Sequence, residues 1–255
     1  MSASAVPTIR NGRGERLDLV LHAAGGEPDA PPARLVLIGH GVTGSKDRPW
    51  LEALAGALAA AGIPALRFSF AGNGASEGRF EECTLSKEVD DLGAIVDAVT
   101  AWGVTRVAYA GHSMGGAIGV LLASRDERIH ALVSLAGMVH VEAFMRRVFG
   151  HLRPGEAMLD KPECRWTAAL AEDAARIGTV LPQASRIGVP WLLVHGDRDE
   201  LVPIADSHDA RAAAAGRPDL VVLPGVDHRF TGAVPALVAA VVPWLHRQLR
   251  TSDIM

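Results

Sequence analysis

The sequence predicts an α/β fold: a mostly parallel central sheet flanked by helices, with a small helical cap inserted. Three observations predict it. Short apolar runs alternate with helical patterns along most of the chain. Runs such as "RLVLIG" and "WLLVHG" are apolar at nearly every position, as in strands covered on both faces. Finally, "RVAYAGHSMGGAIGV" (106–120) puts a serine between glycines where a strand pattern gives way to a helical one. Glycine is costly inside regular structure and useful where the backbone bends sharply, so this serine marks a tight turn.

The elements follow in order. "AAGGEPDAPPA" (23–33) lies between two strand-like runs and reads as a hairpin loop. "RLVLIGH" (34–40) is a strand. "DRPWLEALAGALAAAG" (47–62) is a helix, with Pro49 suited to its first turn and Gly62 to its stop. "PALRFSF" (64–70) is a strand again. From Thr84 to Gly103, Leu85, Val89, Leu92, Val96, Val99 and Trp102 recur at helical spacing and form one buried stripe. "RVAYA" (106–110), "HALVSLAG" (130–137), "PWLLVHG" (190–196) and "DLVVLPG" (219–225) complete the strands. Residues 138–185 break the alternation. They are rich in Met, Phe, Trp, Arg and His, and longer than a crossover helix requires. They read as the inserted cap, with 1–137 and 186–255 forming the core.

Composition bounds the function. The chain has 255 residues, 49% of them hydrophobic and 21% charged, which is ordinary for a globular protein with a sizeable core. The net charge is −4 and no basic run occurs, so neither nucleic acid nor a membrane surface is an expected partner. The N-terminal segment lacks the apolar core of a signal peptide. The longest apolar stretch, 233–245, is too short for a bilayer and contains Pro235 and Pro243. Cys83 and Cys164 stand far apart in no metal-ligand or redox spacing. A cytoplasmic protein, monomeric or homodimeric, is the expectation. "GNGASEG" (72–78) is not a dinucleotide fingerprint, because Glu77 occupies the third glycine position. No clustered His and carboxylate set suggests a metal, so neither metal nor cofactor is expected.

In open parallel sheets, ligands bind beyond the carboxyl ends of the strands. The segments that follow the strands read "GHGVTGSKD", "GHSMGG", "HGDRDELVP" and "PGVDHRF". Gly111 to Gly115 matches G-x-S-x-G in the strand–turn–helix setting of a nucleophile elbow, with Ser113 at its centre. A serine hydroxyl needs a base within hydrogen-bond reach. Of ten histidines, His228 alone follows the last strand on a loop able to lean over the serine. His22, His130, His208 and His246 fall in or beside regular elements, while His40, His112 and His195 adjoin strand ends and suit loop support. The acid that orients the base is Asp199, with Asp197 bonding the turn. Charge on an attacked carbonyl oxygen requires fixed donors. The backbone N–H groups of Met114 and of Val42, in "HGVTG", suit that role.

These residues resemble the α/β-hydrolases, most closely the small bacterial serine esterases that include cinnamoyl and feruloyl esterases. The matching pieces are "HGVTGSKD", "LRFSFAGNGASEGRFEECTLSKEVDDL", "AGHSMGGAI", "HGDRDELVP" and "GVDHRF". The resemblance implies an α/β-hydrolase fold and a cofactor-free carboxylic ester hydrolase working on small-molecule esters through an acyl-enzyme. It implies Ser113 as nucleophile, Asp199 as acid, His228 as base, and Val42 and Met114 as oxyanion donors. Thioesters or amides would use the same machinery. The substrate pocket is expected to include His40, Gly41 and Leu201, with Phe144 and Trp166 of the cap as an apolar wall. Where the relatives carry Asp, His and Asp, this chain has Ser69, Asn73 and Ala75.

Overall fold

The computed structural model describes residues 6–25, 30–159, 161–216 and 218–250. In chain order the first half contains β1 (Leu19–His22), β2 (Arg34–Gly39), α1 (Pro49–Ala60), β3 (Ala65–Phe68), α2 (Leu85–Trp102), β4 (Arg106–His112), α3 (Met114–Ala123) and β5 (Ile129–Leu135). There follow α4 (Val141–Phe149), β6 (Ala157–Met158), β7 (Lys161–Arg165), α5 (Ala168–Ile177) and α6 (Leu181–Ala184). The chain then returns through β8 (Trp191–Gly196), α7 (Ala205–Ala213), β9 (Asp219–Leu223) and α8 (Val234–Gln248).

A seven-stranded sheet forms in the order β1-β3-β2-β4-β5-β8-β9, parallel except for β1. The apolar runs buried on both faces dictate this layering. Leu35 and Leu37 of β2 join the core on the α2 and α3 side, and Val36 and Ile38 join the core on the α1 and α8 side. The segment 23–33 is not a hairpin loop. β1 pairs with β3, Leu19 opposite Phe68, because both edges of β2 are taken by β3 and β4. Residues 26–29 of that segment lie outside the described residues, as do residues 1–5 of the N-terminal segment.

Helix boundaries follow local chemistry. Pro49 opens α1, and Gly62 follows its end with φ 75°. The Thr84 side chain caps α2 by accepting the Lys87 N–H, and Gly103 ends it at φ 125°. No described helix is long and apolar enough to cross a membrane.

The segment between β5 and β8 is not wholly helical. A two-stranded antiparallel hairpin, β6 and β7, sits between α4 and α5. Strands this short carry no readable alternation in the sequence. Phe144, Met145, Phe149, Met158, Cys164 and Trp166 are buried, and they join the α2 and α3 side of the core rather than forming one of their own.

Helix α3 lies against the sheet through glycine. A Cβ on Gly119 would stand 2.6 Å from Tyr109 ring carbons, and one on Gly116 would stand 2.8 Å from the Gly137 Cα. Gly56 of α1 faces open space. Alanine should therefore act in opposite directions at the two helical sites. Gly56→Ala should stabilise by about 0.5–1 kcal/mol through helix propensity. Gly119→Ala should destabilise by about 1–3 kcal/mol through overpacking. Denaturant unfolding of both variants checks the pair, and a stabilised Gly119→Ala would contradict the packing described.

Candidate active site

The turn at Ser113 is the sharpest feature at the strand ends. Ser113 adopts φ 53° and ψ −116° at the junction of β4 and α3. Its N–H donates to the Leu135 carbonyl at 3.0 Å, and its own carbonyl accepts from Gly116 at 2.9 Å and Met138 at 3.2 Å. A Cβ on Gly111 would collide with the Gly115 carbonyl, to which the Tyr109 hydroxyl donates at 3.0 Å. A Cβ on Gly41 would lie 2.8 Å from the Ser113 Cβ, so the Gly41–Val42 backbone runs directly against the serine.

The loop after β8 holds Asp199 in a closed cage. Its Oδ1 accepts the Leu201 and Val202 N–H groups at 2.9 and 2.8 Å. Its Oδ2 faces His228 Nδ1 at 2.8 Å and His195 Nε2 at 3.2 Å. Burial alone would raise this carboxyl. The hydrogen bonds from His195 and His228, with the backbone bond from Val202, outweigh it and hold the group well below the usual carboxylate range. An ionised carboxylate only accepts, so the proton between them sits on His228 Nδ1, and in the neutral ring that makes Nε2 the acceptor.

Three other histidines grip the loops. Phe70 N–H donates to His40 Nε2 at 3.1 Å, so Nδ1 carries the proton and donates to the Gly41 carbonyl at 2.8 Å. His112 Nε2 donates to the His228 carbonyl at 2.9 Å, and its ring stacks edge-on to Trp50 with centroids 4.8 Å apart. His195 accepts from the Ser207 hydroxyl through Nδ1 and donates through Nε2 to the Val202 carbonyl at 2.9 Å. Burial pushes His40 down to about 4, helped by Arg48 and Lys161 and opposed by the Gly41 bond. Burial, then the neighbouring His228, presses His112 the same way.

A cavity of about 580 Å³ opens over these loops. Ser113, His228, Gly41, Val42, Phe144 and Leu201 all line it. Met114 follows Ser113 as the first residue of α3. Two expected lining residues do not reach the cavity. His40 is buried beneath the Gly41 loop, both ring nitrogens engaged by backbone. Trp166 packs on Phe149 with ring centroids 5.5 Å apart, and it supports the segment from behind. The sequence reading missed Trp50, Leu159 and Phe230 on the apolar side, and Arg48, Lys161 and Arg229 on the polar one. "DRPW" at the start of α1 held two of these, concealed by the turn of helix that Pro49 begins.

Asp197 accepts the Gly225 N–H at 2.6 Å, and Asp227 accepts those of Arg229 and Thr231 at 3.0 and 2.9 Å. The Ser69 hydroxyl accepts the Lys46 N–H at 3.0 Å and Asn73 bonds the Ala71 carbonyl at 3.2 Å. Neither they nor Ala75 line the cavity. Among the described residues, no group of three or more His, Cys, Asp or Glu is placed to hold a metal ion.

A parallel sheet with a serine elbow and a histidine–carboxylate pair on its strand ends defines a hydrolase of the α/β-hydrolase fold. Residues 30–159, just over half the chain, match the family described as serine aminopeptidase, S33, and the protein belongs to that family. It is similar to a monoacylglycerol lipase of Mycolicibacterium smegmatis, 27% identical over 234 residues, 79% of this chain and 83% of that one. It is also similar to Est1E of Butyrivibrio proteoclasticus in a structure with ferulic acid bound, at 27% identity and a TM-score of 0.84 over 94% of this chain and 98% of that chain. An esterase domain of a Rhodothermus marinus protein shares the fold, with a TM-score of 0.74 at 24% identity over 94% of this chain and 97% of that chain.

His40 sets a stability–pH prediction. Its folded value near 4 lies below the ordinary 6.5, so the unfolded chain binds more protons between these values and stability falls as pH drops through that window. Between pH 7 and pH 5 the loss from this one group should be roughly 2 kcal/mol. Denaturant unfolding at both pH values checks it, because His40→Gln should flatten the slope by that amount. An unchanged slope would mean that His40 is charged in place.

Proposed function

We propose that this protein hydrolyses carboxylic esters through an acyl-enzyme formed on Ser113. The observation that carries this reading is the bond between His228 Nδ1 and the caged Asp199, with that imidazole lining the same cavity as Ser113. In the proposed reaction, Ser113 Oγ attacks the ester carbonyl as its proton passes to His228 Nε2. Charge builds on the carbonyl oxygen, and the Val42 and Met114 N–H groups are its donors. Asp199 stabilises the imidazolium without taking its proton. His228 then protonates the departing alkoxide. Water enters, gives a proton to the same Nε2 and attacks the acyl carbonyl, and collapse returns the proton to Ser113 Oγ with release of the acid.

The apolar side of the cavity, Val42, Trp50, Phe144, Leu159, Leu201 and Phe230, suits an aryl or short-to-medium acyl group. The ferulic acid held by Est1E is in keeping with an aryl group. In this reading residues 138–185 act as a cap that sets substrate choice, with Phe144 as its contact.

A fluorophosphonate probe tests the proposal, because it reacts with a serine activated by a base beside an oxyanion site. One probe mass should appear on the Ser113 peptide while esterase activity falls in step, and His228→Ala should label about 100-fold more slowly. Label on another serine, or none, would sink the reading. Asp199→Asn should lower kcat on the order of a thousandfold or more by imposing the wrong imidazole tautomer. Asp197→Asn should leave most of the rate, and the reverse order would move the acid. On p-nitrophenyl esters of graded length, Phe144→Ala should shift chain-length preference. Trp166→Ala should lower stability with little change in preference.

A further inference from the structure

The cavity over Ser113 reverses the charge of the molecule that holds it. The chain carries −4 overall, yet Arg48, Lys161 and Arg229 line the cavity and, among the described residues, no aspartate or glutamate does. On the loops that carry His228 and Asp199, Glu200 accepts the His228 N–H at 3.4 Å, and Asp227 accepts those of Arg229 and Thr231. Asp199 is enclosed behind His228. The helices add the same sign. Pro49 of α1 and Val234 of α8 stand at helix starts on the cavity wall, and Ser113 immediately precedes α3, so positive dipole ends converge there.

The two half-buried cations meet at one atom. Lys161 Nζ donates to the Thr43 carbonyl at 2.6 Å, and Arg48 Nη2 donates to the same carbonyl at 3.3 Å. One carbonyl neutralises neither charge. Among the described residues, Arg48, Lys161 and Arg229 form no ion pair with any carboxylate. Most of the N–H donors of both groups remain unassigned. Burial, followed by repulsion from Arg229, presses the Arg48 guanidinium below its ordinary value. The Thr43 hydroxyl beside them is buried and without a partner among the described residues. Cations crowded into a partly desolvated, largely apolar cavity are unfavourable until an anion joins them.

We infer that the ester taken by this site carries a second, anionic group, a carboxylate or phosphate, which seats between Arg48 and Lys161. A guanidinium fork and an adjacent ammonium match such an oxyanion in geometry and charge. Arg229, exposed at the rim, draws the anion inward. The substrate class is therefore a half-ester of a diacid, or an ester whose leaving alcohol bears an acid. What happens to the ester rests on the acyl-enzyme reading above. The binding of its anion does not.

Calorimetric titration of Ser113→Ala separates the two, because this variant removes the nucleophile and leaves the cations in place. The leaving-group probes are 4-acetoxybenzoate and 4-acetoxyphenyl phosphate against the neutral 4-acetoxybenzamide. The acyl-side pair is p-nitrophenyl hemiadipate against p-nitrophenyl hexanoate. At least one anionic probe should bind about 10-fold or more tightly than its neutral counterpart, the scale of a hydrogen bond to a charged group. Adding Arg48→Gln or Lys161→Gln should cut that ratio to below ~3-fold, and Arg48→Lys should keep part of it. Equal binding within every set, or a ratio that survives both Gln variants, overturns the inference. Absence of turnover and of fluorophosphonate labelling in the unmutated protein would instead sink the acyl-enzyme reading, with the binding ratio still deciding the anion site.

Discussion

The arrangement of the site is set by the backbone bend at Ser113. An L-residue held at φ 53° and ψ −116° costs on the order of 1–3 kcal/mol. The bonds to Leu135, Gly116 and Met138 offset that cost by tying the turn to β5, to α3 and to the chain leaving β5. The same bend demands bare backbone around it, at Gly41 facing the serine and at Gly111 facing Gly115. Strain does not stop there. Thr43, Leu159 and Phe230 also have positive φ, and all of them line the same cavity. Ala136, just past β5, is the one other non-glycine residue with positive φ among the described residues, so most of this strain is gathered at the cavity.

A second pattern joins the strand ends. His40, His112 and His195 stand at the carboxyl ends of β2, β4 and β8, and each grips the loop that carries a different part of the site. His40 fixes the Gly41 carbonyl, His112 the carbonyl of His228, and His195 both Asp199 and the Val202 carbonyl. An imidazole suits this work, since its two ring nitrogens can hold two partners at once, as His40 holds Gly41 and Phe70 and His195 holds Ser207 and Val202. The parts that must be positioned within tenths of an ångström therefore lean on one kind of clamp, repeated along the sheet edge.

The sheet was legible in the sequence because strands buried on both faces cannot afford polar alternation, and β2, β4 and β8 show none. The candidates Ser113 and Asp199 were readable because each follows such a strand, and His228 because it follows the edge strand β9. What escaped were features set by distance in space. β1 lies against β3 rather than its neighbour β2, a pairing that no local pattern encodes. β6 and β7 are too short to declare themselves. Trp166, expected on the cavity wall, is buried against Phe149, while Trp50, given no part in advance, lies on that wall, because large apolar side chains read alike until packing is known. Arg48 and Lys161 are far apart in the chain and meet only through the Thr43 carbonyl.

β5 and β8 are hydrogen-bonded neighbours, Leu132 beside Trp191, and the chain leaves the first to form α4 through α6 before returning to the second. The excursion begins and ends on adjacent strands, so it interrupts no pairing in the sheet. Lengthening such a connection is cheap, about 0.6 kcal/mol for each doubling of its length. The segment is consequently interchangeable in a way the strand-end loops are not. A lineage could rewrite the roof of this cavity by recombination or drift without disturbing the bend at Ser113 beneath it, provided the replacement brings an apolar underside to cover what Phe144, Phe149 and Met158 now cover.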